Sequence, residues 1–360
     1  MLMKASAIAM REEDSLFAPF LSRKLQLKTR LVMSSIPRLL SQGGVPTPEM
    51  LLYYRRRAEH MLGLIITEPV AINDPSASAD SGMACFYGGS ALRAWKRICR
   101  AVHHVSCRLI PSLSHVGMLR PAVGDFPNPD SLPVGPSGVE PVSLERRGEL
   151  LSITRIQSII SAFASAALDS KLLGFDGVEI DGAHAGLVEQ FLRPETNLRT
   201  DEFGGDISRR ARFAWMILHA VRKAVGRKYP VIFRFSHQGR WHKPLVNTPA
   251  DLEILLQMLV DAGADMFSCD GIGEPAFRGS PLNLPGWVRL LTRRPVIASG
   301  GVGLKGMEMK PLMQRYRAKE FDLVGVGRAL LADAAWGTKI RLSREDEIIP
   351  YSAASWLHLY

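Results

Sequence analysis

Short apolar runs alternate with longer stretches in which apolar residues return every three or four positions, along almost the whole chain. Eight runs have the length and continuity of strands buried on both faces: 31–35, 63–68, 108–113, 177–181, 231–236, 265–269, 295–299 and 322–325. Helical spacing dominates between them, as in 156–172 and 207–225. Two helix starts are written out in full. Thr47-Pro48-Glu49 and Thr248-Pro249-Ala250-Asp251 each supply a capping hydroxyl, a proline for the first turn and an acidic residue for the positive end. Eight such alternations predict a (β/α)8 TIM barrel, with an open doubly wound sheet as the other arrangement of the same elements.

One connection is too long for a barrel loop. Residues 116–151 follow the third strand and carry Pro121, Pro127, Pro129, Pro133, Pro136 and Pro141. Such a segment is expected to be a lid, or an excursion with a short hairpin, over the C-terminal mouth of the barrel. Residues 1–15 are expected as a flexible tail, 16–345 as a single barrel and 346–360 as a C-terminal extension.

Composition narrows the class. Apolar residues make up 46% and charged residues 22%, an ordinary globular balance. The net charge of +10 is spread over dispersed pairs such as Arg146-Arg147 and Arg293-Arg294, without an aromatic-rich basic stripe, so no nucleic-acid partner is expected. No apolar run reaches the roughly 18–20 residues of a membrane span. The four cysteines, Cys85, Cys99, Cys107 and Cys269, form no close pair, which argues against a metal or a disulfide framework and fits a cytoplasmic location.

Two regions carry candidate chemistry. The run Gly174-Phe175-Asp176-Gly177-Val178-Glu179-Ile180-Asp181-Gly182-Ala183-His184 is a buried strand that releases Asp181 and His184 at its C-terminal end, where parallel α/β proteins place their reacting groups. Late in the chain, Ser299-Gly300-Gly301 and Gly327-Arg328 follow two adjacent strands. Glycine-freed N–H groups and an arginine fork at that position suit a phosphate. Gly301-Val302-Gly303-Leu304-Lys305-Gly306 also fits G-x-G-x-x-G, but a dinucleotide fingerprint belongs in the first βα unit and is followed by an acidic strand end.

Taken in order, these motifs resemble the Old Yellow Enzyme family of FMN-dependent oxidoreductases. The resemblance covers about residues 16–333 and includes Leu16-Phe17-Ala18-Pro19-Phe20, His115-Val116-Gly117, the opening strand-four run, Arg199-Thr200-Asp201-Glu202-Phe203-Gly204-Gly205, Arg209-Arg210-Ala211-Arg212-Phe213 and Gly325-Val326-Gly327-Arg328-Ala329-Leu330. It implies bound FMN, with NADH or NADPH donating from the same open pocket and no separate nucleotide fold. Position by position, it implies Arg234 beside the flavin N1 and O2, where a fixed cation favours developing negative charge. Ser299, Gly300, Gly301, Gly327 and Arg328 match the phosphate cradle, and Ser35, Ile36 and Pro37 the segment against the ring. His115 matches a mainly structural position. A single-barrel member is expected, without the iron–sulfur and second nucleotide-binding modules of larger relatives, as a monomer or homodimer.

The departures from that pattern lie where substrate would sit. Ser112 stands where the family usually has glutamine, and Pro37 where it has threonine or cysteine. The pair that holds substrate is Asp181 and His184, and Gly186 replaces a tyrosine that protonates substrate in many members. An ionised Asp181 only accepts hydrogen bonds and would repel a carbonyl oxygen, so it suits a cationic amine or a base paired with His184. The leading expectation is an oxidoreductase acting on a small conjugated or cyclic substrate. Desaturation, oxidation or double-bond migration is one alternative, and an inactive scaffold another. A non-flavin aldolase or isomerase lacks a strand-end lysine. Met118, Trp241 and His242 are further candidates for the pocket lining.

Overall fold

The computed structural model describes residues 11–124, 126–237 and 243–357. Eight parallel strands close into a barrel: β1 (Leu31–Met33), β2 (Leu64–Ala71), β3 (Arg108–Ser114), β4 (Val178–Gly182), β5 (Val231–Phe235), β6 (Met266–Cys269), β7 (Val296–Ala298) and β8 (Leu323–Val326). They pair in chain order, and β8 returns to β1 with Val324 opposite Leu31 and Val326 opposite Met33. Seven connections carry α1 (Pro48–Ala58), α2 (Gly89–His104), α3 (Ile153–Leu173), α4 (Arg212–Val225), α5 (Pro249–Ala262), α6 (Leu284–Thr292) and α7 (Met309–Arg317), and α8 (Trp336–Arg341) follows β8. This is the expected TIM barrel. Closure rules out the doubly wound sheet, and with it the dinucleotide reading of the late glycine motif.

Local chemistry explains the helix boundaries. Thr47 accepts from the Met50 N–H at 3.3 Å and Thr248 from the Asp251 N–H at 3.1 Å. Gly174 and Gly263 end α3 and α5 at φ +92° and +113°, a conformation that costs a side-chain-bearing residue more. The single helix expected over 207–225 is divided. A first turn, Ile207–Arg210, is capped by Asp206 and tied down by Arg210 donating to the Leu192 carbonyl, and α4 begins after Ala211.

Inside the barrel, period-two alternation produces two levels. Val32, Leu64, Ile66, Ile110, Ile232, Met266, Ile297 and Leu323 meet in the lower part, closed from below by Phe20, Leu25 and Leu27 of a short antiparallel hairpin. Full burial of each large aliphatic contributes about 1.5–3 kcal/mol. Two residues further along, the same face turns polar: Ser34, Ser112, Arg234, Ser268 and Ser299 are all buried. The apolar floor thus supports a polar mouth at the C-terminal ends of the strands.

The excursion after β3 is pinned rather than loose. Its main pairing is parallel, Val134–Gly135 with Glu149–Leu150, and the expected hairpin is reduced to one antiparallel bridge between Val139 and Arg146. Arg120 is fully buried there, donates to the carbonyls of Pro127 and Ser131, and lies over the Phe126 ring at 4.2 Å. Met118 packs inside the excursion against Gly135 and Gly148, not in the pocket. Trp241 and His242 lie outside the described residues.

The segments flanking the barrel dock on it. Glu12–Phe17 forms a 3-10 turn reaching into the region assigned to the tail, and Arg11 donates to the Ile340 and Arg341 carbonyls at 2.8 and 3.0 Å. In the C-terminal extension, the Trp356 carbonyl accepts from Arg38 at 3.2 Å and Tyr351 lies under the Arg328 guanidinium at 5.8 Å. Among the described residues no helix is long and apolar enough to cross a membrane. The four cysteines are buried and unbonded, and burial pushes the Cys99 and Cys107 thiols up to about 12.

Candidate active site

The mouth gathers charged groups from three consecutive strand ends, those of β4, β5 and β6. Asp181 on β4 lies opposite Arg234 on β5 in the parallel register, and Glu179 lies opposite both Ser112 and Ile232. Arg234, only 4% exposed, extends one terminal nitrogen to the Ser35 carbonyl at 3.2 Å and the other toward Asp270 at 3.4 Å. His184 Nε2 stands 3.3 Å from the same guanidinium nitrogen and 3.7 Å from Asp270 Oδ2. His184 Nδ1 lies 3.8 Å from Asp181 Oδ1. The expected pair is brought together, although at a separation longer than a hydrogen bond.

The two members of that pair differ in exposure. Asp181 is covered, accepting from the Ser114 hydroxyl at 3.3 Å and the Ala183 N–H at 3.2 Å. His184 is about half exposed and sits at φ +59°, followed by Ala185 at +63°. Two successive side-chain-bearing residues in the left-handed region are a strained way to leave a strand, and such strain concentrates at functional sites. Gly186 caps a short helix, Leu187–Leu192, and contributes no side chain to the mouth.

Of the phosphate candidates, Gly300 and Arg328 line a cavity of about 540 Å³, together with Ser236, Asp270, Gly271 and Met307 among others. Gly300 and Gly301 adopt φ +130° and +81°. A Cβ on Gly300 would come within 3.1 Å of the Gly271 N–H nitrogen, and one on Gly327 within 2.8 Å of Ile36 Cδ1. The strand-eight loop and the strand-one segment therefore touch. Ser35 is buried, Ile36 half-buried and Pro37 exposed, and the arch re-enters where the Arg38 and Leu39 N–H groups bind Glu68. Ser299 donates to Asp270 Oδ1 at 2.9 Å, and Ser112 is fully buried with its hydroxyl donated to Glu179 at 2.7 Å. His115 is structural, clamped between Asp74 and the Gly117 N–H.

Glu179 and Asp270 were not singled out from the sequence. Asp270 had a usable signal, since it is the first residue past an expected strand end. Glu179 lies two residues before Asp181, hence on the same inward face, but its polar setting depends on Ser112 and Arg234 arriving from β3 and β5. A larger cavity of about 650 Å³, lined by Glu195, Arg210, Lys243 and Asp251, lies away from these strand ends.

Burial and charge set the titration of the mouth. Burial pushes Glu179 up to about 7, against the pull of Arg234 and the Ser112 hydroxyl. Burial likewise takes Glu68 to about 7, against the Arg38 and Leu39 N–H groups. Burial alone would lower Arg234, but Asp270, Glu179 and Asp181 hold it above its ordinary value. Burial would raise Asp270, but Arg234, His184 and Ser299 hold it below the usual carboxylate range.

A carboxyl raised on folding keeps its proton better in the native state. Its stabilising contribution is complete below the ordinary value of 4.5 and is lost as pH rises toward about 7. The expected outcome is a fall in unfolding free energy between about pH 5 and about pH 7 that the double variant Glu68→Gln, Glu179→Gln flattens. Urea unfolding at the two pH values measures it, and an unchanged slope in the variant would contradict it.

Residues 15–347 match the model of the NADH:flavin oxidoreductase / NADH oxidase family. The chain belongs to that family. It is 30% identical to the NADH oxidase of Thermoanaerobacter brockii over 336 residues, 90% of this chain and 50% of that protein. It is also 30% identical to the NADPH dehydrogenase of Bacillus cytotoxicus over 325 residues, 88% of this chain and 89% of that protein. The chain thus spans about half the length of the first of these relatives and most of the second. Among solved structures, morphinone reductase in complex with tetrahydroNAD superimposes with a TM-score of 0.80 at 25% identity, covering 95% of this chain and 94% of that one. The family is one of FMN-dependent oxidoreductases using nicotinamide, and the barrel here has the architecture of its members.

Proposed function

We propose that this chain binds FMN and exchanges hydride with a small conjugated or cyclic substrate, with NADH or NADPH as reductant from the same open pocket. One observation carries the reading. Among the described residues, the barrel mouth holds Arg234 Nε and the hydroxyls of Ser34, Ser35 and Ser236 buried and without a hydrogen-bond partner, beside the cavity that Gly300 and Arg328 line. Each such group left unmet costs about 1–3 kcal/mol, so a cluster of them suits a polar ligand. The donor set fits FMN: donors at the ring end, glycine-freed N–H groups and an arginine at the phosphate end.

In this reading Ser35, Ile36, Pro37 and Arg234 hold the ring, while Ser299, Gly300, Gly301, Gly327 and Arg328 hold the phosphate. Ser112 supports the ring site indirectly, through Glu179. Bound FMN supplies hydride transfer at its N5. Asp181 and His184 orient substrate and handle its proton. Residues 16–345 act as one FMN-binding barrel with 116–151 as its cover, as a monomer or homodimer in the cytoplasm, consistent with four unbonded buried cysteines.

The carboxylate–imidazole pair also favours a second reading, proton removal leading to desaturation or double-bond migration, because Asp181 accepts and does not donate. Purification tests both against an inactive scaffold. A yellow protein, reduced anaerobically by NADH or NADPH, is expected. Reoxidation by a panel of enones, amines and quinones then separates reduction from oxidation. A colourless protein that takes up no added FMN would support the scaffold instead.

A further inference from the structure

Asp270 is the first residue beyond β6 and lines the cavity together with Gly300 and Arg328. Among the described residues it is the carboxylate in ion-pair contact with Arg234, with Oδ1 at 3.4 Å and Oδ2 at 3.5 Å from the same terminal nitrogen. The Ser299 hydroxyl, at 2.9 Å, holds it in that position. The other two acids near Arg234 are engaged elsewhere: Glu179 accepts from Ser112, and Asp181 from Ser114 and the Ala183 N–H. His184 approaches the far oxygen of Asp270 at 3.7 Å.

We infer that Asp270 tunes the bound flavin's electron affinity by sharing the charge of Arg234, and so biases the site toward giving hydride rather than taking it. This rests on the proposed seating of FMN beside Arg234. Reduction by the nicotinamide delivers two electrons and one proton together. The nicotinamide leaves as its oxidised cation, and the ring gains one negative charge. A lone guanidinium at the ring edge would stabilise that charge fully. A carboxylate against the guanidinium offsets part of the attraction and repels the incoming charge, because such interactions are strong away from bulk water. The expected result is a lower reduction potential than Arg234 alone would set. Asp270 acts through Arg234 and is therefore a positioning residue.

The test measures the reduced-to-oxidised ratio of protein-bound FMN at equilibrium with a reference redox dye. Asp270→Asn and Asp270→Ser are expected to raise that ratio at least about tenfold at a fixed dye poise, which for a two-electron couple is about 30 mV. Asp270→Glu should stay near the unsubstituted protein. A merely structural role would alter FMN affinity or thermal stability without this ordered shift. An unchanged or lower ratio in FMN-loaded Asn or Ser variants overturns the inference. If the unsubstituted protein takes up no FMN, the functional reading fails first and the inference falls with it.

Discussion

Arg234→Met should destabilise the folded protein by about 3–5 kcal/mol and abolish FMN retention. Arg234 is 4% exposed and raised above its ordinary value by Asp270, Glu179 and Asp181 acting together. Methionine fills similar volume but leaves those carboxylates facing one another without a cation. Glu179 would absorb part of the penalty by taking a proton, since it already sits near 7 with the arginine present. The loss should therefore be smaller below about pH 6 than above it. Arg234→Lys restores the charge but not the fork that reaches both the Ser35 carbonyl and Asp270, and should recover stability better than flavin binding. Urea unfolding and the flavin absorbance of the purified variants measure the two effects. A Met variant with unchanged midpoint and full FMN content would remove Arg234 from the centre of the site.

Truncating the substrate pair should cost turnover rather than cofactor. His184→Ala and Asp181→Ala are each expected to lower turnover by about 10²–10⁴-fold, the range for removing a positioned acid or base. FMN content should stay near that of the unsubstituted protein, because neither side chain lines the phosphate cavity. His184 occupies φ +59°, so His184→Asn is the cleaner control: asparagine tolerates that backbone, keeps hydrogen-bonding capacity and loses the imidazole. Asp181→Asn separates charge from shape, since it preserves an oxygen for the Ser114 hydroxyl. If either alanine variant turned over at the unsubstituted rate, proton handling would have to be assigned elsewhere.

The eight barrel strands were legible because strands buried on both faces are written as continuous apolar runs. Their ends moved by one or two residues in seven strands and by three in β2, where pairing overrode local pattern. β2 runs on to Ala71 through Pro69, because the register with β3 shifts between Ile66 and Pro69 and leaves the proline without a required donor. The 207–225 helix divided because Arg210 anchors its first turn to Leu192, 18 residues away. Asp181 and His184 were legible as the polar residues at the C-terminal end of a buried strand. Ser112 was legible as a short residue in a long residue's place, but not its contact: the hydroxyl reaches Glu179, 67 positions on. Met118, a candidate for the pocket lining, instead packs inside the excursion, because spacing along the chain says nothing about which side of the excursion it faces.

By itself, the sequence determined the alternation of elements, the two glycine loops after adjacent strands, the acid and imidazole at the end of the fourth and the arginine in the fifth. Those features are local, and hydrophobic burial with parallel pairing makes their consequences nearly inevitable. Tertiary structure alone decided which charges meet. Closing the barrel brings Asp270, held by Ser299, against Arg234 and sets His184 among two carboxylates and a guanidinium. Coulomb energy depends on distance and surrounding dielectric, and neither is written along a chain until it closes on itself.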